Sequence, residues 1–221
     1  RPGESASKNQ IVSSNSYTLH AFMTALGADV QILGIAPDDS DTIGALAREA
    51  YGSDLLVTTG GASVGEHDLI QKALSTDKFG KQGLNLNFWK IAMRPGKPLI
   101  FGELQQKPFI GLPGNPVSTM ICALIFLKPA IETMLGLEHK QETVFASLSK
   151  DLHKNDERQD YLRAYYFDTK KGEKIVEPFT IQDSSMMANL AKANCLIVRE
   201  PFDKKRKKGD TVKIIKLDTC F

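Results

Sequence analysis

Three short segments combine glycine, proline and cationic residues in ways that suit the handling of oxyanions. The first runs from Asp54 to Asp68, an apolar strand that enters Gly60, Gly61 and Gly65 before a helix begins. Glycines at such a turn let backbone N–H groups approach an anion, and the following helix adds a favourable partial charge. The spacing matches neither the Walker A pattern nor the dinucleotide fingerprint GxGxxG. A tight strand-to-helix turn without a ligand stays open as the plainer reading. Glu66 and Asp68 beside it are hard oxygen donors for a divalent cation, or simply acids in a first helical turn.

The second segment, Phe88 to Leu99, carries Lys90, Arg94 and Lys97, with Pro95, Gly96 and Pro98 stiffening the turn. Rigid cations suit phosphate and related oxyanions, and arginine adds a planar fork of donors. Solvated surface cations are the alternative. The third segment, Pro108 to Ser118, ends a strand in Pro113-Gly114-Asn115-Pro116 before an apolar helix. This turn falls at the C-terminal edge of the sheet, where open α/β sheets bind ligands. Asp38 and Asp39 are expected at that same edge, as helix caps or as carboxylates sharing a cation with Asp68. The four histidines form no ligand spacing, and no nucleophile elbow is present.

These residues need a frame to hold them. Leu19, Phe22, Met23 and Leu26 follow a helical period over Tyr17 to Gly27. Strands are predicted at Val30 to Ile35, Asp54 to Thr59 and Pro108 to Leu112. Helices are predicted at Thr42 to Tyr51, Glu66 to Leu74 and Val117 to Leu135. The alternation implies a three-layer α/β sandwich around a mainly parallel sheet. Beyond Gly136 short strands take over at Val144 to Leu148, Asp160 to Phe167, Lys174 to Glu177, Cys195 to Arg199 and Thr211 to Leu217. They predict a small, mainly β domain of roughly 80 residues. The expected division is 1–137 and 142–221, with a polar linker at Glu138 to Glu142 open to proteolysis.

Composition narrows the remaining classes. The 221 residues carry a net charge of +2. Five of the positive charges lie in the run Lys204 to Lys208, so no global basic field of the nucleic-acid-binding kind exists. That run reads as a solvated loop before a strand, or as a contact for an anionic partner. The longest uninterrupted apolar stretch, Met120 to Leu127, is shorter than the roughly 20 residues of a membrane span. No signal peptide is visible near Arg1. Three scattered cysteines, Cys122, Cys195 and Cys220, argue against a disulfide framework and for a reducing, cytoplasmic setting.

Taken together the segments resemble the molybdopterin molybdenumtransferases, the molybdenum insertases of molybdenum cofactor synthesis. The matching stretches are Ser14-Asn15, Leu33 to Asp39, Thr59 to Asp68, Trp89-Lys90 through Pro98, Gly111 to Ser118 and Asn194 to Val198. The resemblance implies that the second domain is a small β-barrel-like one, and that the protein is an enzyme consuming adenylylated molybdopterin and molybdate, with Mg2+, and releasing AMP. It implies that Gly60, Gly61, Ser63, Gly65, Gly114 and Asn115 line the pterin and phosphate pocket. It makes Asp38 and Asp68 metal-associated carboxylates, and Asp68, Lys90 and Arg94 catalytic. Lys97, Pro98, Ser118, Arg158 and Ser184 match oxyanion- or molybdate-contacting positions, with Asp183 standing where the family has glycine. Family members carry an acidic strand end and two further domains ahead of the position of Pro2-Gly3-Glu4, and act as homodimers. The chain therefore reads as a fragment of a longer protein. The related adenylyltransferase, or a scaffold retaining the fold without turnover, are the alternatives. On this reading Gly61→Val abolishes phosphate binding and leaves the fold largely intact.

Overall fold

The computed structural model describes residues 13–61, 66–141 and 143–217. The chain forms two compact units, Arg1–Ile91 with Pro98–Ile131, and Ala92–Lys97 with Glu132–Phe221. The second takes in Ala92–Lys97 because a short strand near residue 93 pairs with it.

In the first unit, α1 (Asn15–Ala25) buries Asn15, Leu19 and Phe22, spaced i, i+4 and i+7 along one face. α2 (Ser40–Glu49) is capped by Asp39, whose carboxylate accepts from the Thr42 N–H at 2.8 Å. β1 (Leu56–Thr59), α3 (Glu66–Ala73), α4 (Thr76–Phe79) and β2 (Asn85–Trp89) follow. After the excursion through β3 (Met93–Arg94) come β4 (Ile100–Leu104) and β5 (Lys107–Leu112). The sheet order is β1-β5-β4-β2. Ala47, Ile70, Ala73, Leu74, Ile100, Leu104 and Phe109 form the core on one face, under α2 and α3. Ile110 and Leu112 alternate to the other face and are equally buried, so both faces are covered.

The α/β class stands, but two details correct the sequence expectation. The sheet is mixed: β1 and β5 are parallel, whereas β4 runs antiparallel to both β5 and β2. The β4–β5 hairpin turns through Gln105 and Gln106, both at positive φ, a turn the sequence does not announce because neither is glycine. Val30 to Ile35, expected as a strand, has no ladder among the described residues. An apolar run becomes a strand only when a neighbour pairs with it, and β1 has its one described partner in β5.

The long apolar helix runs as α5 (Pro116–Cys122), a π-helical stretch Ala123–Leu127 and α6 (Lys128–Met134). Pro129 lacks an N–H and would clash with a carbonyl one α-turn back. The wider π turn just upstream relieves that conflict. At 19 residues the helix matches a membrane span by length and composition, which counting uninterrupted apolar residues missed. Val117, Met120, Ile121, Leu127 and Ile131 are nonetheless buried within the protein, as in a core helix.

The second unit holds β6 (Thr143–Leu148), β7 (Gln159–Asp168), β8 (Lys174–Pro178), α7 (Met187–Lys192), β9 (Cys195–Arg199) and β10 (Thr211–Lys216). Pairings β6–β8, β8–β7, β7–β9, β9–β10 and β10–β6 close a ring, with β3 added in parallel to β7. Closure removes the exposed edges that an open sheet would leave. Ala146, Leu148, Ala164, Val176, Cys195, Ile197, Val212 and Ile214 alternate along the strands and fill the interior.

Burial pushes the Cys122 and Cys195 thiols up to about 12. Thiols so shifted stay almost wholly protonated near neutral pH. Both should resist alkylation in the native protein and react fully once it is unfolded, with peptide mapping identifying the modified site. Rapid native labelling of either would contradict this packing.

Candidate functional site

The direction of the strands decides what converges. β1, β5 and β2 all point the same way, so their C-terminal ends share one edge of the first unit's sheet. The residues Thr58, Gly111, Ile100 and Trp89 are aligned across it by strand register. Just beyond this row lie Gly60-Gly61 after β1, Pro113-Gly114-Asn115 after β5, and Lys90 after β2. Asp38 and Asp39 precede α2, and α2 leads back to the start of β1, which places its N-terminus at the same edge. Three of the sequence-selected elements thus lie along the one edge where open α/β sheets bind ligands.

The glycines are required by backbone shape. Gly60 and Gly61 have φ of 83° and 69°, a region that L side chains rarely occupy. Among the described residues a Cβ on Gly60 would meet nothing within 4 Å, whereas one on Gly61 would lie 3.0 Å from Ile70 Cγ1. This corrects the expectation that Gly61→Val spares the fold. The Gly60 N–H donates to Leu112 O at 3.1 Å, and a Cβ on Gly114 would stand 3.4 Å from Gly60 Cα. The loop after β1 and the turn after β5 are therefore packed against each other.

Lys90 is the charged residue of this edge with an unusual backbone, at φ 69°. Its N–H donates to Leu99 O at 3.0 Å, and its ammonium sits 3.5 Å over the Trp89 ring centroid. A non-glycine residue held in this region costs about 1–3 kcal/mol and such strain gathers at functional sites. Asp38 is exposed, and no ion pair of it is found among the described residues. Asp39 is committed to its cap, whose bonds to Thr42 hold its carboxyl below the usual range.

The other expected residues fall elsewhere. Ser63 and Gly65 lie outside the described residues, and Asp68 lies in the first turn of α3 with its side chain outside the description. Ser118 is 5% exposed on α5, buried rather than lining a surface. Lys97 is exposed and Pro98 half-buried.

Arg94 and Arg158, expected as anion ligands, belong to the second unit and face carboxylates. Arg94 donates to Asp156 at 2.9 Å, to Asn155 Oδ1 at 3.1 Å, and to Asp160. Arg158 donates to Asp156 at 2.7 Å. Hydrogen bonds from Arg158, and then the charge of Arg94, hold the Asp156 carboxyl well below its ordinary range. Two cations against two carboxylates leave little net field for an oxyanion, which corrects the sequence picture of Arg94 as an open cationic fork. Ser184 is half-buried beside Asp183, whose carboxylate accepts from the Ser185 N–H and hydroxyl at 2.8 and 2.7 Å.

One constellation escaped the sequence reading of side chains. Asn15 Nδ2 lies 2.9 Å from Thr59 Oγ1, 2.7 Å from Gly114 O and 3.2 Å from Thr119 Oγ1. The available signal was a polar residue on the buried stripe of α1. Among the described residues no group of three or more metal-ligating side chains gathers.

The sequence matches the family described as "Probable molybdopterin binding domain" over residues 3–133, and "MoeA C-terminal region (domain IV)" over residues 146–217. Among curated proteins it is 34% identical over 215 residues to the molybdopterin molybdenumtransferase of Haemophilus influenzae, covering 96% of this chain and 52% of that protein. It is 31% identical over 208 residues to the Staphylococcus aureus protein of the same name, covering 93% and 48%. The chain thus spans about half the length of these relatives. Its fold is similar to that of the molybdopterin biosynthesis MoeA protein from Pyrococcus horikoshii, with TM-score 0.77 and 24% identity, covering 98% of this chain and 51% of that one.

Proposed function

The chain belongs to the molybdopterin-binding domain family, with a MoeA C-terminal region following, and from that premise we propose that it is the pterin-handling half of a molybdenum insertase. The full-length enzyme would act in the cytoplasm as a homodimer. It would insert molybdate into adenylylated molybdopterin in a Mg2+-dependent reaction that releases AMP. The observation that carries this reading is the convergence of the Gly60-Gly61 loop, the Gly114-Asn115 turn and strained Lys90 on one sheet edge. The attached barrel favours the insertase over the adenylyltransferase.

A phosphoanhydride and molybdate are both oxyanions. Their chemistry needs positioning and charge stabilisation more than a covalent nucleophile. The loop and the turn offer backbone donors for phosphate, and Lys90 offers a localised positive charge. The described carboxylates do not form an all-protein metal cage. Exposed Asp38, with Asp68, fits the sparser mode in which magnesium takes one or two carboxylates and otherwise substrate phosphates. Bound there, the ion would neutralise anhydride charge.

Calorimetry of the chain with molybdopterin, with its adenylylated form and with molybdate tests the reading. Saturable pterin binding is expected, and the absence of any would overturn it. In the full-length protein, Asp68→Ala should slow consumption of adenylylated molybdopterin and spare binding of plain molybdopterin. Wild-type turnover across a magnesium titration would reduce Asp68 to a helix-terminus acid.

A further inference from the structure

We propose that Asn15 is a positioning residue that locks the Gly60-Gly61 loop and the Pro113-Gly114-Asn115 turn into one preorganised unit. The inference rests on the reading of this edge as the pterin-phosphate site, and adds a residue that works behind it. Asn15 is 5% exposed and Thr119 fully buried, so their polar groups must be satisfied within the protein. A carboxamide nitrogen has two hydrogens, and here it faces three oxygens, from the end of β1, the turn after β5 and the first turns of α5. The hydroxyls carry the link onward. Thr59 Oγ1 donates to Pro113 O at 3.0 Å, and Thr119 Oγ1 lies 2.6 Å from Pro113 O and 3.0 Å from Asn115 O.

The consequence for binding follows from peptide geometry. The carbonyls of Pro113 and Gly114 are turned inward to this cluster. A trans peptide points its N–H opposite to its C=O, so the N–H groups of Gly114 and Asn115 are turned outward at an exposed turn. Successive outward N–H groups form the kind of concavity that takes an anion. Asn15 therefore fixes the donors' direction without touching the ligand. An apolar residue at position 15 would leave Gly114 O without this donor and loosen both segments together, because Thr59 ties the network directly to Gly60.

The test uses the whole chain, with Asn15→Ala, the gentler Thr59→Val, and Thr59→Ser as the conservative variant. Without ligand, hydrogen exchange is followed at the Gly60 amide, which bonds Leu112 O, and at the Thr119 amide, which bonds Asn115 O. Both should exchange about tenfold faster in Asn15→Ala and Thr59→Val, with barrel amides unchanged and Thr59→Ser close to wild type. Molybdopterin affinity should fall about tenfold in the same two variants and recover in Thr59→Ser. Unchanged exchange, acceleration at one segment alone, or failure of Thr59→Ser to restore either readout overturns the proposal. Coupled exchange in a chain that binds no molybdopterin would sustain the coupling and refute the pterin-site reading instead.

Discussion

Gly61→Val should remove measurable molybdopterin binding and cost the first unit about 2–4 kcal/mol, whereas Gly60→Ala should weaken binding at a cost of about 1 kcal/mol. The two glycines share a left-handed backbone, at φ 69° and 83°, but differ in what surrounds them. A valine Cβ at position 61 would press on Ile70 at 3.0 and 3.1 Å, and Ile70 is itself 5% exposed in the core beneath α3. It can give way only by disturbing that packing. An alanine Cβ at position 60 meets no atom of the described residues within 4 Å, so its methyl group projects into space open among them. If phosphate is held by backbone approach at this loop, that methyl occupies the ligand's room and leaves the fold standing. Chemical denaturation alongside calorimetry separates the two effects. Wild-type affinity in folded Gly60→Ala would return the loop to a purely structural turn.

Lys90→Gly and Arg94→Ala should fail in opposite ways, although both remove a cation from one short segment. Lys90→Gly relieves about 1 kcal/mol of backbone strain, which roughly offsets the lost contact with Trp89 and the added freedom of glycine. Stability should stay near that of the wild type, while affinity for adenylylated molybdopterin falls about tenfold to a hundredfold through loss of a charge-assisted contact. Arg94→Ala instead strips the partner from Asp160, whose side chain is 6% exposed and whose Oδ1 has no hydrogen bond among the described residues. A carboxylate left buried without its cation is costly. With Arg94 itself 43% exposed, the loss to the barrel unit should be about 2–3 kcal/mol, below the range for a fully buried pair. The sign of the pH dependence follows from Asp156, whose carboxyl is lowered in the folded state. Its stabilising effect is complete above the ordinary carboxylate range near pH 4 and is lost as the pH falls below it. Denaturant titrations of the two variants at neutral pH and at low pH decide the matter. Equal stability of Arg94→Ala and wild type would show that the ion network holds nothing.

What the sequence determined by itself was local. The change of hydrophobic period near residue 136 separates helix-and-strand from all-strand territory, since side-chain periodicity is a property of each segment alone. The helices at α1, α2 and α3 and the barrel strands β6 to β10 lie within a few residues of where pattern places them. Gly60 and Gly61 announce their turn because few other residues adopt that backbone. Several independent motifs in order pointed to the family that the comparisons then showed. Pairing, by contrast, was decided only in the tertiary structure. Val30 to Ile35 is as apolar as a strand and finds no neighbour among the described residues, while Asn85–Trp89 and Ile100–Leu104 are strands because each lies beside another. Charge partners were hidden for the same reason. Nothing near Arg94 in sequence reveals Asp156 and Asp160, more than sixty residues away, so a bound guanidinium read as an open one. Asn15, Thr59 and Thr119 also stand far apart along the chain, and only the folding of α1 against β1 and α5 brings their polar atoms within hydrogen-bonding distance.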